Sequence, residues 1–401
     1  MKNKYILAGC FALFLKSKSV AQDTDSTFKN RTIPKTEIEA IFSNYNQNGD
    51  NSAVTGGIGT EQLKVYTNTL KIKRNFNYYK SASFVGGTDI ISSASTDKID
   101  DAVSSASLVD TRTFANLYYQ RKFKKQDIAI RGGTGFSLES DYLSFPVSLS
   151  IEHTSPINNR TISLNLQGFF DDLRWGRVSP HYYRPYDLVY PKELRNTKWF
   201  DEYRRTTLGA KFAFTQAINK RIVAGIFPEL IYQKGLLSTP FHRVYFTDNS
   251  LKVENLPQER WKVPFGIKVN YFSTSKMILK TGYSYYRDNF QIKAHAIEFE
   301  SALKIKPLLV LSPFVRFYKQ TGTPYFHTYK THNPDEEFYT SDYDLSSFSS
   351  FKVGLGLSYR PNNFLNKKLY FNQLNLRYAY YKRSNSLQAH IVTVYFKFDA
   401  Y

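Results

Sequence analysis

The sequence predicts an all-β fold, a transmembrane antiparallel β-barrel of about sixteen strands with fourteen as the fallback count, short periplasmic turns and long extracellular loops. Three observations predict it. The 401 residues include 32 Phe and 31 Tyr, and aromatics reach 16%, yet mean hydropathy is −0.43. Apolar residues are therefore plentiful but diluted by polar ones almost residue by residue, as suits a wall with lipid on one side and water on the other. Alternation with a period of two persists over about ten to fourteen residues at a time, long enough for a tilted strand to cross a bilayer and longer than the strands of a soluble sandwich. Finally, short polar turns and long irregular connections alternate along the chain.

The chain opens on a short basic region, Met1-Lys2-Asn3-Lys4, then an apolar stretch from Tyr5 to Leu15 and small residues at Ser19-Val20-Ala21. That pattern predicts a secretory signal peptide over 1–21, cleaved before Gln22. Lys16 and Lys18 interrupt it, and Leu7-Ala8-Gly9-Cys10 resembles a lipoprotein processing box. Cys10 comes early, however, and Phe11 to Leu15 continue the apolar run, which favours the cleaved leader. Residues 22–36 read as a flexible periplasmic segment and 37–401 as the barrel.

Cys10 is the single cysteine, so the mature chain is expected to hold no disulfide, thiolate metal site or cysteine nucleophile. The formal charge of +20 falls to +16 when Lys2, Lys4, Lys16 and Lys18 leave with the leader. The remaining Lys and Arg are scattered singly through strands and turns, without the clusters that grip a phosphate backbone, so nucleic acid is not an expected partner. Past the leader no run of about eighteen apolar residues occurs, and no transmembrane helix is predicted.

Clear alternation marks Ile162–Leu166, Val353–Arg360 and Leu374–Tyr380, while Val263, Phe265, Ile267, Val269 and Tyr271 share one face. Short turns are expected at 124–127, 155–159, 217–220 and 273–276, and long loops at roughly 173–203, 236–258 and 320–349. Strands then fall near 37–47, 61–74, 78–92, 113–124, 127–139, 142–153, 160–171, 204–216, 220–234, 259–273, 276–288, 291–304, 308–319, 350–360, 371–383 and 387–398. The even count is what a single-chain barrel of this type requires. The last strand, ending at Phe398, is expected to pair with the first and remove both edges. Its Val392, Val394, Phe396 and Phe398 are assigned to lipid, and Thr393 and Lys397 to the lumen.

The predicted inner faces are polar: Glu152, Lys211, Glu229, Lys262, Lys268, Glu298, Glu300, Lys304, Arg316 and Arg377, with Ser148, Ser150, Gly354 and Gly356. Of these, Lys211, Lys262, Lys268, Arg316 and Arg377 are the lumen candidates for contact with a solute.

Four loops exceed a connector's needs. Asn51–Glu61 is rich in glycine but lacks the Lys-Ser/Thr pair of a phosphate loop, so it reads as a structural turn, folded toward the lumen. In 92–107, Asp97, Asp100 and Asp101 offer hard oxygens to calcium, without the spacing of an EF-hand. Lys234–Phe246 joins Ser238, His242 and Arg243; a Ser–His nucleophile pair would need a third, orienting residue and has no G-x-S-x-G elbow. Catalysis is therefore not expected, and Arg243 is read as the partner of a loop carboxylate. In 337–350, Asp342 and Asp344 are further weak calcium candidates or bridges to Arg243. No cofactor or established metal site is expected.

The runs NSAVTGGIGTE, Ser-Ala-Ser-Thr-Asp, KGLLSTPFHRVYF and EFYTSDYDLSSFSS, the last ahead of Lys352-Val353-Gly354-Leu355-Gly356, resemble in the same order a family of outer-membrane proteins defined as a domain of unknown function and common in Bacteroidota. The resemblance spans roughly 37–398. It implies a location and a fold, and carries over no catalytic or binding residue.

The expected function is a channel or transport-related barrel for small solutes in the outer membrane of a Gram-negative bacterium, with mild anion preference from the basic excess. The alternative is a closed barrel whose Tyr- and Phe-rich loops dock or help assemble partner proteins. Outer-membrane lipid and the barrel-assembly machinery are the remaining expected partners.

Overall fold

The computed structural model describes residues 35–93, 110–123, 127–139, 142–155, 157, 159–173, 204–239, 242–361, 363–365 and 368–401. The wall begins with β1 (Lys35–Asn48), β2 (Leu63–Asn75), β3 (Lys80–Ser93), β4 (Asp110–Phe123), β5 (Ile128–Leu138), β6 (Leu143–Thr154), β7 (Arg160–Asp172), β8 (Arg204–Ala217) and β9 (Ile222–Gly235). A small hairpin, β10 (Arg243–Tyr245) and β11 (Leu251–Val253), lies in the next loop. The wall resumes with β12 (Glu259–Lys262), β13 (Phe265–Thr274), β14 (Met277–Arg287), β15 (Lys293–Lys306), β16 (Leu309–Gln320) and β17 (Phe348–Tyr359). A two-residue β18 (Asn363–Phe364) precedes β19 (Leu369–Arg383) and β20 (Gln388–Ala400). Among the described residues no helix is long and apolar enough to cross a membrane.

Counting β12 with β13 as one strand, and β18 as a continuation of β17 along β19, the wall is a closed antiparallel barrel of 16 strands. Both halves of the split strand keep a common register on β9, with Lys262 opposite Ile231 and Phe265 opposite Pro228. The break between them falls at Val263-Pro264, inside the single strand expected over 259–273. Pro264 has no N–H for the ladder, though its carbonyl still accepts from the Glu229 N–H at 2.8 Å.

Closure joins the first strand to the last, from Thr36 opposite Ala400 to Asn48 opposite Gln388. One face of this seam carries Ser43 and Thr393, 3.2 Å apart, and Lys397, whose Nζ donates to Glu37 at 2.8 Å. The other face carries Phe42 against Phe396, ring centres 6.3 Å apart. The last strand runs two residues past the expected end at Phe398, because Asp399 is tied down by Lys35 at 2.9 Å and by the Asn372 amide at 2.8 Å.

The inner face is identified by reach. Arg377 of β19 donates to Glu300 of β15 at 3.1 Å with β16 and β17 lying between them, a span that side chains can bridge only on the concave side. Registers carry that face around the wall: Lys211 stands opposite Glu229 and Asn165, and Asn165 opposite Ser150. The convex face exposes Leu117, Leu149, Leu166, Phe299, Val353 and Leu355. An apolar band of that extent is a lipid contact, since a soluble monomer exposes no more than a patch of a few hundred Å². With strands about 4.8 Å apart and tilted about 40°, the ring is roughly 30 Å across.

Short turns such as 218–221, 275–276 and 307–308 gather at one end of the barrel. The connections at 49–62, 236–258 and 321–347 leave the other.

Candidate functional site

Three long connections among the described residues, 49–62, 236–258 and 321–347, build a cap over the mouth. The first is rooted between β1 and β2, the second between β9 and β12, eight strands around the ring and hence on the opposite wall. They nevertheless meet. Gly56 and Gly57 both hold φ of 84°, a left-handed backbone that favours glycine, and lie against the rings of Tyr245 and Tyr343. A side chain at Gly56 would strike Tyr245, with its Cβ 2.5 Å from Cδ2. Loops rooted in opposite walls can touch only by crossing the opening.

The third connection is sewn to the second. Asn255 and Tyr339 exchange backbone hydrogen bonds of 3.1 and 2.8 Å, and the Thr247 N–H donates to the His332 carbonyl at 2.9 Å. Val244, Phe246 and Tyr339 form a small buried core between them, with Lys252 Nζ 4.5 Å from the centre of the Phe246 ring. Ser341 Oγ donates to the Arg243 carbonyl at 2.8 Å and lies 3.4 Å from the Ala53 carbonyl, so it touches both other loops. Asn51 fixes the first loop to the 384–387 turn through a 2.7 Å bond from Nδ2 to the Asn385 carbonyl.

This cap buries charge. Glu254 is 2% exposed; its Oε2 accepts from the Thr239 N–H at 2.5 Å and its Oε1 from the Thr340 hydroxyl, with His242 Nδ1 3.3 Å away. Burial alone would lower the His242 imidazole, but the Glu254 carboxylate outweighs it and holds the group above its ordinary value. Asp342, beside this pair, is pushed up to about 6, chiefly by burial and further by Asp344 and Glu254. Glu61 accepts from Gln47 Nε2 at 3.0 Å. Burial, reinforced by Asp344 and opposed by Arg383, lifts its carboxyl to about 7.

Below the cap the inner wall carries ion pairs that link strands. Glu300 accepts from Lys280 at 2.8 Å and from Arg377 at 3.1 Å. Arg377 reaches it across the Phe314 ring, 3.8 Å from its centre, through the space that Gly354 leaves open: a Cβ there would lie 2.4 Å from Phe314 Cζ. Arg316 pairs with Glu298 at 3.1 Å, and between β1 and β2 Lys71 pairs with Glu39 at 3.1 Å.

A family model for a protein of unknown function, DUF3570, matches residues 8–393. The chain belongs to the DUF3570 family. No curated protein matches the sequence. Among solved structures this DUF3570 chain is similar to Pseudomonas aeruginosa OpdK with vanillate, at 8% identity and a TM-score of 0.43, covering 91% of this chain and 98% of that one. It is similar also to a BenF-like porin from Pseudomonas fluorescens (9% identity, TM-score 0.42, 90% and 98% covered). A loop-deletion mutant of OmpT, an outer-membrane protein of Vibrio cholerae, gives 7% identity and a TM-score of 0.43, with 90% and 98% covered.

The sequence-predicted site residues of this DUF3570 barrel divide into three groups. Lys211, Lys262, Lys268, Arg316 and Arg377 lie on the inner side of the wall; Lys268 sits over Phe227, 5.9 Å from the ring centre, and Lys262 is half-buried with Asp288 as its backbone bridge partner. His242, Arg243, Asp342 and Asp344 come together in the cap. Asp344 binds Arg383, at the mouth end of β19, rather than Arg243. Arg243 is buried with its Nη1 donating to the His242 carbonyl at 3.4 Å. Asp97, Asp100 and Asp101 lie outside the described residues. Glu254, the carboxylate that orients His242, was missed. The Ser238 Oγ is buried and accepts from the Leu256 N–H at 2.8 Å.

Proposed function

We propose that the protein is an outer-membrane channel for small solutes, with a mild preference for anions and a mouth narrowed by its cap. The observation that carries this reading is the ring itself: a closed barrel of 16 strands, wide enough for water inside, whose inner wall is lined with charged side chains. Lys211, Lys268, Arg316, Lys352 and Arg377 share that face with Glu229, Glu298 and Glu300, so cations outnumber carboxylates there. A basic excess lowers the electrostatic barrier to anions. Export by a cleaved leader and insertion by the barrel-assembly machinery belong to the same proposal.

The docking alternative gains less support. Its motivation was aromatic loops, and in the cap these rings contact one another: Phe246 with Tyr339, Phe290 with Tyr325, Tyr325 with Phe338, Phe326 with Tyr343. The engaged Ser238 hydroxyl likewise supports a non-enzymatic reading. Purified protein in planar lipid bilayers tests the proposal. Stepwise conductance with a reversal potential shifted toward the anion in a salt gradient is expected; a barrel that inserts and stays silent overturns it.

A further inference from the structure

We propose that His242, Glu254 and Asp342 form a binding site for one divalent transition-metal ion, zinc by preference, that clasps the second loop of the cap to the third. One donor atom from each of the three residues lies within 4.8 Å of the others. His242 and Glu254 come from the second loop and Asp342 from the third, so an ion here would join two segments distant in the chain.

The spacing of the His242–Glu254 pair already suits an ion. His242 Nδ1 and Glu254 Oε1 are 3.3 Å apart. Two ligands on one tetrahedral zinc, with bonds of about 2.0–2.1 Å, stand about 3.3 Å from each other. The donors are also held in place before any ion arrives, as a built site requires. Glu254 is fixed by the Thr239 N–H and the Thr340 hydroxyl. Thr340 is fixed in turn, its carbonyl 3.1 Å from His332 Nε2, and His332 Nδ1 lies 2.6 Å from Glu336. Asp342 is oriented by accepting the Asp344 N–H at 2.8 Å.

Donor chemistry selects the class of ion. Calcium and magnesium take oxygen ligands in shells of six or more, whereas one imidazole nitrogen with two carboxylates suits zinc and its neighbours. Three protein ligands leave the fourth tetrahedral position to water or to a coordinating group of a passing solute. This site does not depend on the channel reading, because an ion can tie the loops whether or not the barrel conducts.

The test is calorimetric titration of zinc chloride into tag-free, chelator-stripped protein in detergent. One equivalent per chain is expected, with affinity falling at least about tenfold in His242→Asn and in Asp342→Asn. Zinc should also slow proteolysis of the 321–347 loop in the parent but not in Asp342→Asn. His327→Asn, which removes an imidazole next to Glu336 but outside the triad, should leave stoichiometry and affinity unchanged. The heat-dependent shift in electrophoretic mobility shows in each variant that the barrel is intact. The proposal is overturned by absence of saturable uptake, by unchanged binding in Asp342→Asn with an intact barrel, or by binding lost in His327→Asn instead.

Discussion

Along the wall, each strand answers to its two neighbours and to a simple rule about which side chain meets lipid. Across the mouth, segments from opposite walls converge, buried carboxylates find hydroxyls and imidazoles, and no period describes the result. In the wall apolar residues such as Leu355 are exposed, and Arg377 and Glu300 pair across the concave face; in the cap the apolar residues Val244 and Phe246 are fully buried and so is the charge of Glu254. The wall thus obeys the solvent arrangement of a membrane protein, and the cap that of a small soluble domain with a core of its own.

The wall is most vulnerable at the seam between its first and last strands. Removing Val392 onward deletes most of β20 and leaves β1 and β19 as open edges, which lipid does not tolerate. Loss of membrane assembly is expected, read as absence of the heat-modifiable species; normal assembly would refute closure through β1 and β20. A smaller loss follows from Leu355→Arg, near the middle of β17 on the lipid face. It should cost about 2–4 kcal/mol in reversible unfolding from lipid vesicles, whereas the same change on the lumen side, Ser312→Arg, should cost far less. Deleting 324–340 from the cap leaves the wall's ladders untouched, so the barrel should assemble normally while single-channel conductance rises several-fold. A conductance equal to the parent's would mean that the cap does not constrict the pore.

The mildest prediction concerns pH. Glu61 has a folded value of about 7 against an ordinary 4.5, so the closed cap binds its proton more tightly than an open loop does. Stability of the cap therefore falls as pH rises between those values, and not outside them. Asp342 acts in the same direction between 3.8 and about 6. His242 does too, because a raised imidazole contributes stability that is lost as pH climbs through its folded value. Proteolysis of the 321–347 loop should quicken from pH 5 to pH 8, and Glu61→Gln should flatten part of that rise; an unchanged profile would remove Glu61 from the account.

What the sequence made legible follows the same division. Strand number and the strand face on which Lys211, Lys268, Arg316 and Arg377 stand could be read because strand geometry is local: a period of two decides the face. Even the break at Pro264 was open to reading, since proline cannot serve a continuous ladder. The pairing of Arg377 with Glu300 was not, because it depends on ring curvature and on the gap at Gly354. The cap was less legible still. Glu254 lies 12 residues from His242 and 86 from Thr340, its hydroxyl donor. No spacing rule links them, and only the crossing of loops from opposite walls makes them neighbours. Of the residues singled out there, His242 and Asp342 stand beside Glu254, and Asp344 pairs with Arg383.

The loops that meet over the opening have a mechanical consequence. A wall one strand thick resists stretching along its hydrogen bonds but ovalises with little effort, as any thin hoop does. The hoop is most easily squashed along a diameter, and the Gly56–Tyr245 contact lies on one, between the β1–β2 and β9–β12 roots. The cap therefore works as a cross-brace, keeping the ring round at the end where the turns are too long to stiffen it.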